Sequence, residues 1–118
     1  MNFKDLGISE PLVQVLKKSG ITTPTSIQEE CIPLIKDYKD VIAQAQTGTG
    51  KTLAFLLPLF ENISPDVCAT QALIITPTRE LALQITEEAN QLAKGKAINV
   101  LAAYGGRNIC LLYTSDAA

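Results

Sequence analysis

Residues 45–52 of this 118-residue chain read Ala-Gln-Thr-Gly-Thr-Gly-Lys-Thr, and no other stretch constrains the fold as much. An apolar run, Asp40-Val41-Ile42-Ala43, precedes them, and an apolar helical pattern from Leu53 to Phe60 follows. Strand, Gly-rich turn, Lys-Thr and helix is the order that makes a phosphate-binding loop. Gly48 and Gly50 let the backbone curl until successive N–H groups face one anion. A helix starting near Lys51 adds unpaired N–H groups and the positive end of its dipole. The Lys51 ammonium can reach β- and γ-phosphates, and the Thr52 hydroxyl can ligate Mg²⁺, which makes these two the candidate catalytic residues. The general pattern G-x-x-x-x-G-K-[ST] fails at its first position, where Ala45 stands. The competing reading is a Gly-Thr turn that caps an ordinary helix.

Around this loop the chain alternates strand and helix signals. Ser9 is placed to cap a first helix, with Pro11 in its opening turn and Gly20 at its stop, and Leu12, Val13, Val15 and Leu16 supply the apolar face. Thr25 opens a second helix with Gln28 at capping-box spacing, and Pro33 is expected to limit or kink it. Residues 40–45 read as a first buried strand. Leu53, Phe55, Leu56, Leu57, Leu59, Phe60 and Ile63 cover much of a long helix, which Pro58 should kink or break. Residues 72–76, Ala-Leu-Ile-Ile-Thr, are a continuous apolar run bounded by Pro77, as in a buried parallel strand. Thr78 then caps a helix running to about Lys94, with Leu81, Ile85, Ala89 and Leu92 on one face and Gly95 at its end. Residues 98–104 read as a third strand, stopped by Gly105-Gly106. The expected class is α/β: an open parallel sheet with helices on both faces. Ligands bind such sheets at the carboxyl ends of the strands. The phosphate loop, Pro77-Thr78-Arg79 and Gly105-Gly106 are all expected there.

Composition narrows the class. A chain of this length holds one domain at most. No apolar run approaches the roughly 20 residues that span a bilayer, so no membrane partner is expected. The first residues carry no secretory pattern. Three widely spaced cysteines, Cys31, Cys68 and Cys110, make neither a metal cluster nor a disulfide framework; they fit a reducing cytoplasm as small buried or half-buried side chains. A net charge of −2 argues against a broad basic nucleic-acid surface. It leaves open phosphate binding by backbone N–H groups and helix N-termini.

Several motifs line up with the loop. Residues 20–28, Gly-Ile-Thr-Thr-Pro-Thr-Ser-Ile-Gln, resemble the Q motif of DEAD-box RNA helicases. Residues 45–52 resemble motif I of that family, in which Ala is usual where Ala45 stands. Residues 77–82, Pro-Thr-Arg-Glu-Leu-Ala, resemble motif Ia, and Gly105-Gly106 sits where the family has its GG element. Phe3 stands upstream, where the family carries an aromatic. The resemblance covers residues 1–107 and implies the front of a RecA-like P-loop NTPase domain. It implies that Phe3 stacks on adenine and that Gln28 bonds the adenine edge, selecting ATP over GTP. Thr47, Gly48, Thr49, Gly50, Lys51 and Thr52 would hold the triphosphate, with Mg²⁺ on Thr52. Pro77, Thr78, Arg79, Gly105 and Gly106 would grip the backbone of single-stranded or short duplex RNA. Each position has a plainer reading as well. Gln28 completes a capping box with Thr25, Phe3 packs on the first helix, Thr78 is an ordinary cap with Arg79 and Glu80 solvated, and Gly105-Gly106 is a turn.

The family's Asp-Glu-Ala-Asp and Ser-Ala-Thr motifs do not occur, and Glu29-Glu30 and Glu87-Glu88 read as solvated helical charge. The second RecA-like domain, which the resemblance also implies, is missing from these residues. The expectation is therefore a truncated first domain of a minimal, bacterial, cytoplasmic ATP-dependent RNA helicase, itself inactive or only weakly nucleotide-binding. Residues 108–118 depart from the family pattern. They resemble translated sequencing-adaptor read-through and are read as a non-native tail. A DNA helicase or other P-loop ATPase, and a non-enzymatic binding fragment, are the alternatives.

Overall fold

Helices form where a capping residue meets an apolar 3.6-residue period. The computed structural model describes residues 1–46, 48 and 50–103, which fall into two compact units, the first ending at Ile63 and the second beginning at Ser64. The first unit holds α1 (Glu10–Lys18), α2 (Ser26–Lys36) and α3 (Lys51–Asn62). The second holds α4 (Arg79–Leu92), extended by a 3₁₀ turn at Ala93–Gly95.

In the first unit, α1 buries Leu12 and Leu16, while Val13 and Val15 are half-buried. It ends in a Schellman motif: Ile21 N–H donates to the Leu16 carbonyl and Gly20 N–H to that of Lys17, with Gly20 at φ +79°. Ser9 occupies the N-cap position but makes no side-chain cap. Its N–H and Oγ instead both donate to Oε1 of Glu61 on α3, at 2.8 and 2.9 Å. Helix α2 runs through Pro33 to Lys36, and α3 runs through a buried Pro58 to Asn62, so neither proline ends its helix. A second Schellman motif closes α2, with Lys39 N–H on the Leu34 carbonyl and Tyr38 N–H on that of Ile35. Here the left-handed position is filled by Tyr38, at φ +60°, and not by glycine.

Two side-chain amides set how α2 and α3 lie. Gln28, near the start of α2, donates from Nε2 to the carbonyl of Gly50, the N-cap of α3, at 3.1 Å. Asn62, the last residue of α3, donates from Nδ2 to the carbonyls of Ile35 and Lys36 at 3.3 and 3.2 Å. Start meets start and end meets end, so the two helices run side by side in the same direction. The two helices pack on each other, and between them they bury Ile32, Leu56, Leu57 and Phe60, all at most 3% exposed. Burying a side chain of that size contributes roughly 1.5–3 kcal/mol.

In the second unit, Ile85, Ala89 and Leu92 form the buried stripe of α4, and Leu81 lies at its margin at 36% exposure. Residues 64–71 form a loop closed by Gln71, whose amide accepts from the Ser64 N–H and donates to the Ser64 carbonyl at 2.9 and 2.8 Å.

The three expected strand segments are not paired into ladders in the structure. Residues 40–45, 72–76 and 98–103 carry no ladder, and among the described residues there is no strand; Tyr104 lies outside them. In the first two runs Ile42 is fully exposed and Leu73 and Ile75 are 79% and 84% exposed, while Ile98, Val100 and Leu101 of the third are half-buried. An apolar run shows that a segment suits burial on both faces. Pairing and cover come from neighbouring strands and helices and not from the apolar run itself. Cys68 is exposed and not half-buried as expected, Cys31 is buried, and Cys110 lies outside the described residues.

Candidate functional site

The turn into α3 has the backbone form that phosphate binding requires. Gly48 and Gly50 lie at φ +86° and +83°, a region closed to most residues with a Cβ. Gly50 is the N-cap, and its carbonyl accepts from Ala54 N–H at 3.2 Å. The N–H groups of Lys51, Thr52 and Leu53 therefore have no acceptor within the helix and gather at the positive end of its dipole. The Lys51 side chain is exposed and Thr52 is half-buried. A Cβ at Gly48 would meet nothing within 4 Å, so that side of the turn is open. These features fit a polyphosphate held by backbone donors, with Lys51 as counter-charge and Thr52 as an oxygen ligand for Mg²⁺. Thr47 and Thr49 lie outside the described residues.

Gln28 is the buried polar residue of the site, at 2% exposure. It completes the capping box: Oε1 accepts from Thr25 N–H at 2.9 Å, and Thr25 Oγ1 accepts from Gln28 N–H at 3.4 Å. Its Nε2 holds Gly50, as above. A Cβ on Gly50 would collide with that nitrogen and come within 3.3 Å of Thr25 Cγ2. Thus Gly50 is required twice, for its backbone angle and for the amide packed against it. The spacing of Thr25 and Gln28 reveals the capping box. Nothing in the sequence signals the bond to Gly50, 22 positions away.

Phe3 is 2% exposed and belongs to the core of the first unit. Its ring would have to be uncovered to stack on a base. Burial, and then the nearby Glu30, push the buried Cys31 thiol above its ordinary range. Glu29, Glu30, Glu87 and Glu88 are exposed, as expected of solvated helical charge.

In the second unit, Thr78 caps α4, its Oγ1 accepting from Leu81 N–H at 3.2 Å. Thr76 Oγ1 donates to the Thr78 carbonyl at 2.9 Å and stiffens the entry. Pro77, Thr78 and Arg79 are all exposed around this helix start. Gly105 and Gly106 lie outside the described residues, as do residues 108–118.

The sequence matches the family model described as DEAD/DEAH box helicase over residues 25–112. It is 50% identical over 109 residues to the ATP-dependent RNA helicase CshA of Limosilactobacillus reuteri, an alignment covering 92% of this chain and 22% of that protein. Among solved structures, it superposes on a DEAD box protein from the hyperthermophile Methanococcus jannaschii with a TM-score of 0.85. Identity there is 37%, over 98% of this chain and 32% of the other. Saccharomyces cerevisiae Dbp5 bound to RNA and ADP BeF3 matches with a TM-score of 0.80 at 30% identity, over 90% of this chain and 29% of the other. The chain spans about a fifth of the length of the curated relatives it matches.

Proposed function

The chain belongs to the DEAD/DEAH box helicase family, and from that premise we propose that it is the nucleotide-binding front of an ATP-dependent RNA helicase. The observation that carries this reading is the start of α3. Two left-handed glycines, three N–H groups without helical acceptors, Lys51 and Thr52 converge there beside the Gln28 amide. In this reading residues 47–52 cradle the triphosphate. Lys51 offsets the charge that develops on the transferred phosphoryl group, and Thr52 ligates Mg²⁺. The Gln28 amide recognises adenine, offering one donor and one acceptor to N7 and N6. Phe3 stacks on the base once its ring is uncovered. Pro77, Thr78 and Arg79, with Gly105 and Gly106, hold RNA through its sugar-phosphate backbone, a contact with little sequence information. Residues 40–45, 72–76 and 98–104 supply parallel strands of a RecA-like sheet, a reading supported by the superposition on the Methanococcus jannaschii protein. The parent protein couples ATP hydrolysis to local strand separation in the cytoplasm. These 118 residues, without an Asp-Glu-Ala-Asp motif, bind nucleotide weakly and do not turn it over.

Calorimetric titration of the chain with Mg-ATP tests the proposal. Lys51→Ala removes a charged hydrogen-bond donor worth about 1.5–3 kcal/mol, so affinity should fall at least tenfold with helix content unchanged. Equal ATP binding by the variant and the parent chain would refute it.

A further inference from the structure

The start of α4 sorts its hydrogen-bonding groups by polarity. Both acceptors of Thr78 are committed to the helix: its Oγ1 takes the Leu81 N–H at 3.2 Å, and its carbonyl takes the Ala82 N–H at 3.2 Å. The second lone pair of that carbonyl takes the Thr76 hydroxyl at 2.9 Å. Neither lone pair is left to repel an approaching anion. The groups not spent in these bonds are donors. They are the Thr78 O–H and the Glu80 N–H, which has no acceptor within the helix. Pro77 has no N–H to give, and Thr78 is extended at φ −133° and ψ 156°, so no backbone turn closes residues 76–78. The Thr76 side chain, half-buried, closes them instead.

We propose that Thr76 is a positioning residue for RNA binding at this helix start. Its hydroxyl holds the Thr78 carbonyl in place before a sugar-phosphate backbone arrives, and it touches no RNA itself. Its one donor is spent on Thr78, and a phosphate oxygen only accepts, so Thr76 has nothing to offer a phosphate. Without the hydroxyl the same phosphate contacts form, but binding then bears the cost of ordering residues 76–78 and of a carbonyl lone pair left unpaired. Thr76 stands one position ahead of the residues assigned to RNA, and the inference rests on that reading of Pro77, Thr78 and Arg79.

Fluorescence anisotropy of a labelled oligouridylate, titrated with the full 118-residue chain over a range of KCl concentrations, tests the inference. One net hydrogen bond corresponds to about a two- to tenfold change in affinity. Thr76→Val keeps the shape and loses the hydroxyl. It should weaken binding by that factor at every salt concentration. The slope of log affinity against log salt should not change, because no phosphate contact is lost. Thr76→Ser should restore the parent affinity. Arg79→Gln removes a charge, so it should weaken binding and flatten the slope by about 0.7. If Thr76→Val does not fold, Thr76→Ser against Thr76→Ala isolates the same hydroxyl. Parent-like affinity in Thr76→Val, a loss that Thr76→Ser shares, or a flattened slope in Thr76→Val overturns the inference. If Arg79→Gln weakens and flattens binding while Thr76→Val matches the parent chain, the inference falls and the RNA-binding reading stands. If the parent chain binds no oligouridylate, or Arg79→Gln binds as the parent does, both fall.

Discussion

Gly50→Ala separates two costs that usually arrive together. At φ +83° an L-residue is strained by roughly 1–2 kcal/mol. Removing a glycine from the unfolded chain returns about 0.4–1 kcal/mol. Strain alone therefore predicts a net loss of about 1 kcal/mol. Gly20 provides that baseline, since it lies at φ +79° with nothing within 4 Å of a Cβ. Gly50 carries a further term, because its new methyl would drive Gln28 away and forfeit the hydrogen bond at 3.1 Å. A net hydrogen bond adds about 0.5–1.5 kcal/mol. The expected losses are thus about 1 kcal/mol for Gly20→Ala and about 2 kcal/mol for Gly50→Ala. Urea unfolding followed by far-UV circular dichroism reads both, through midpoints at constant slope. In a double-mutant cycle the extra loss at Gly50 should disappear in the Gln28→Ala background. Equal losses at Gly20 and Gly50, or an extra loss that persists without Gln28, would refute the claim that the amide holds this turn.

Two further substitutions test local physics at other places. Tyr38→Gly should stabilise the chain by about 0.5–1 kcal/mol, because the left-handed strain at φ +60° is relieved and the side chain, 79% exposed, gives up little burial; a lower urea midpoint would contradict this. Although Glu88 is exposed as a whole residue, partial desolvation of its carboxyl, and then the adjacent Glu87, raise that carboxyl above its ordinary range. A raised carboxyl favours folding below its unfolded value and loses that contribution as pH rises through the folded one. Glu88→Gln should therefore raise the midpoint at pH 7, and its advantage should shrink as pH falls through the carboxylate range; an advantage independent of pH would exclude this cause.

Pro33 and Pro58 show where a local rule yields to packing. Each removes one helical N–H, yet both helices continue for three or four residues. Pro58 is itself buried among the apolar side chains of α3. The apolar contact between α2 and α3, together with the Asn62 amide on the last carbonyls of α2, offsets the missing bonds.

Whatever is decided within one turn of chain was legible in the residues. Gly20 stops α1, the Thr25–Gln28 box starts α2, Thr78 caps α4, and Gly48 and Gly50 mark a left-handed turn ahead of Lys51, because each signal involves atoms three or four positions apart. Contacts across the chain were not legible. Ser9 sits at a helix start, but a carboxylate 52 residues away takes its hydroxyl. Phe3 could have been a surface ring and is core. The runs at 40–45, 72–76 and 98–103 have the composition of strands and no ladder, since an apolar segment states what environment suits it and cannot supply the neighbours. The sharpest case is Gln28. Its spacing from Thr25 dictates the cap. Only the parallel packing of α2 on α3 puts the Gly50 carbonyl within 3.1 Å of the same amide, because that distance depends on where two helices dock, and docking is set by buried side chains spread along both.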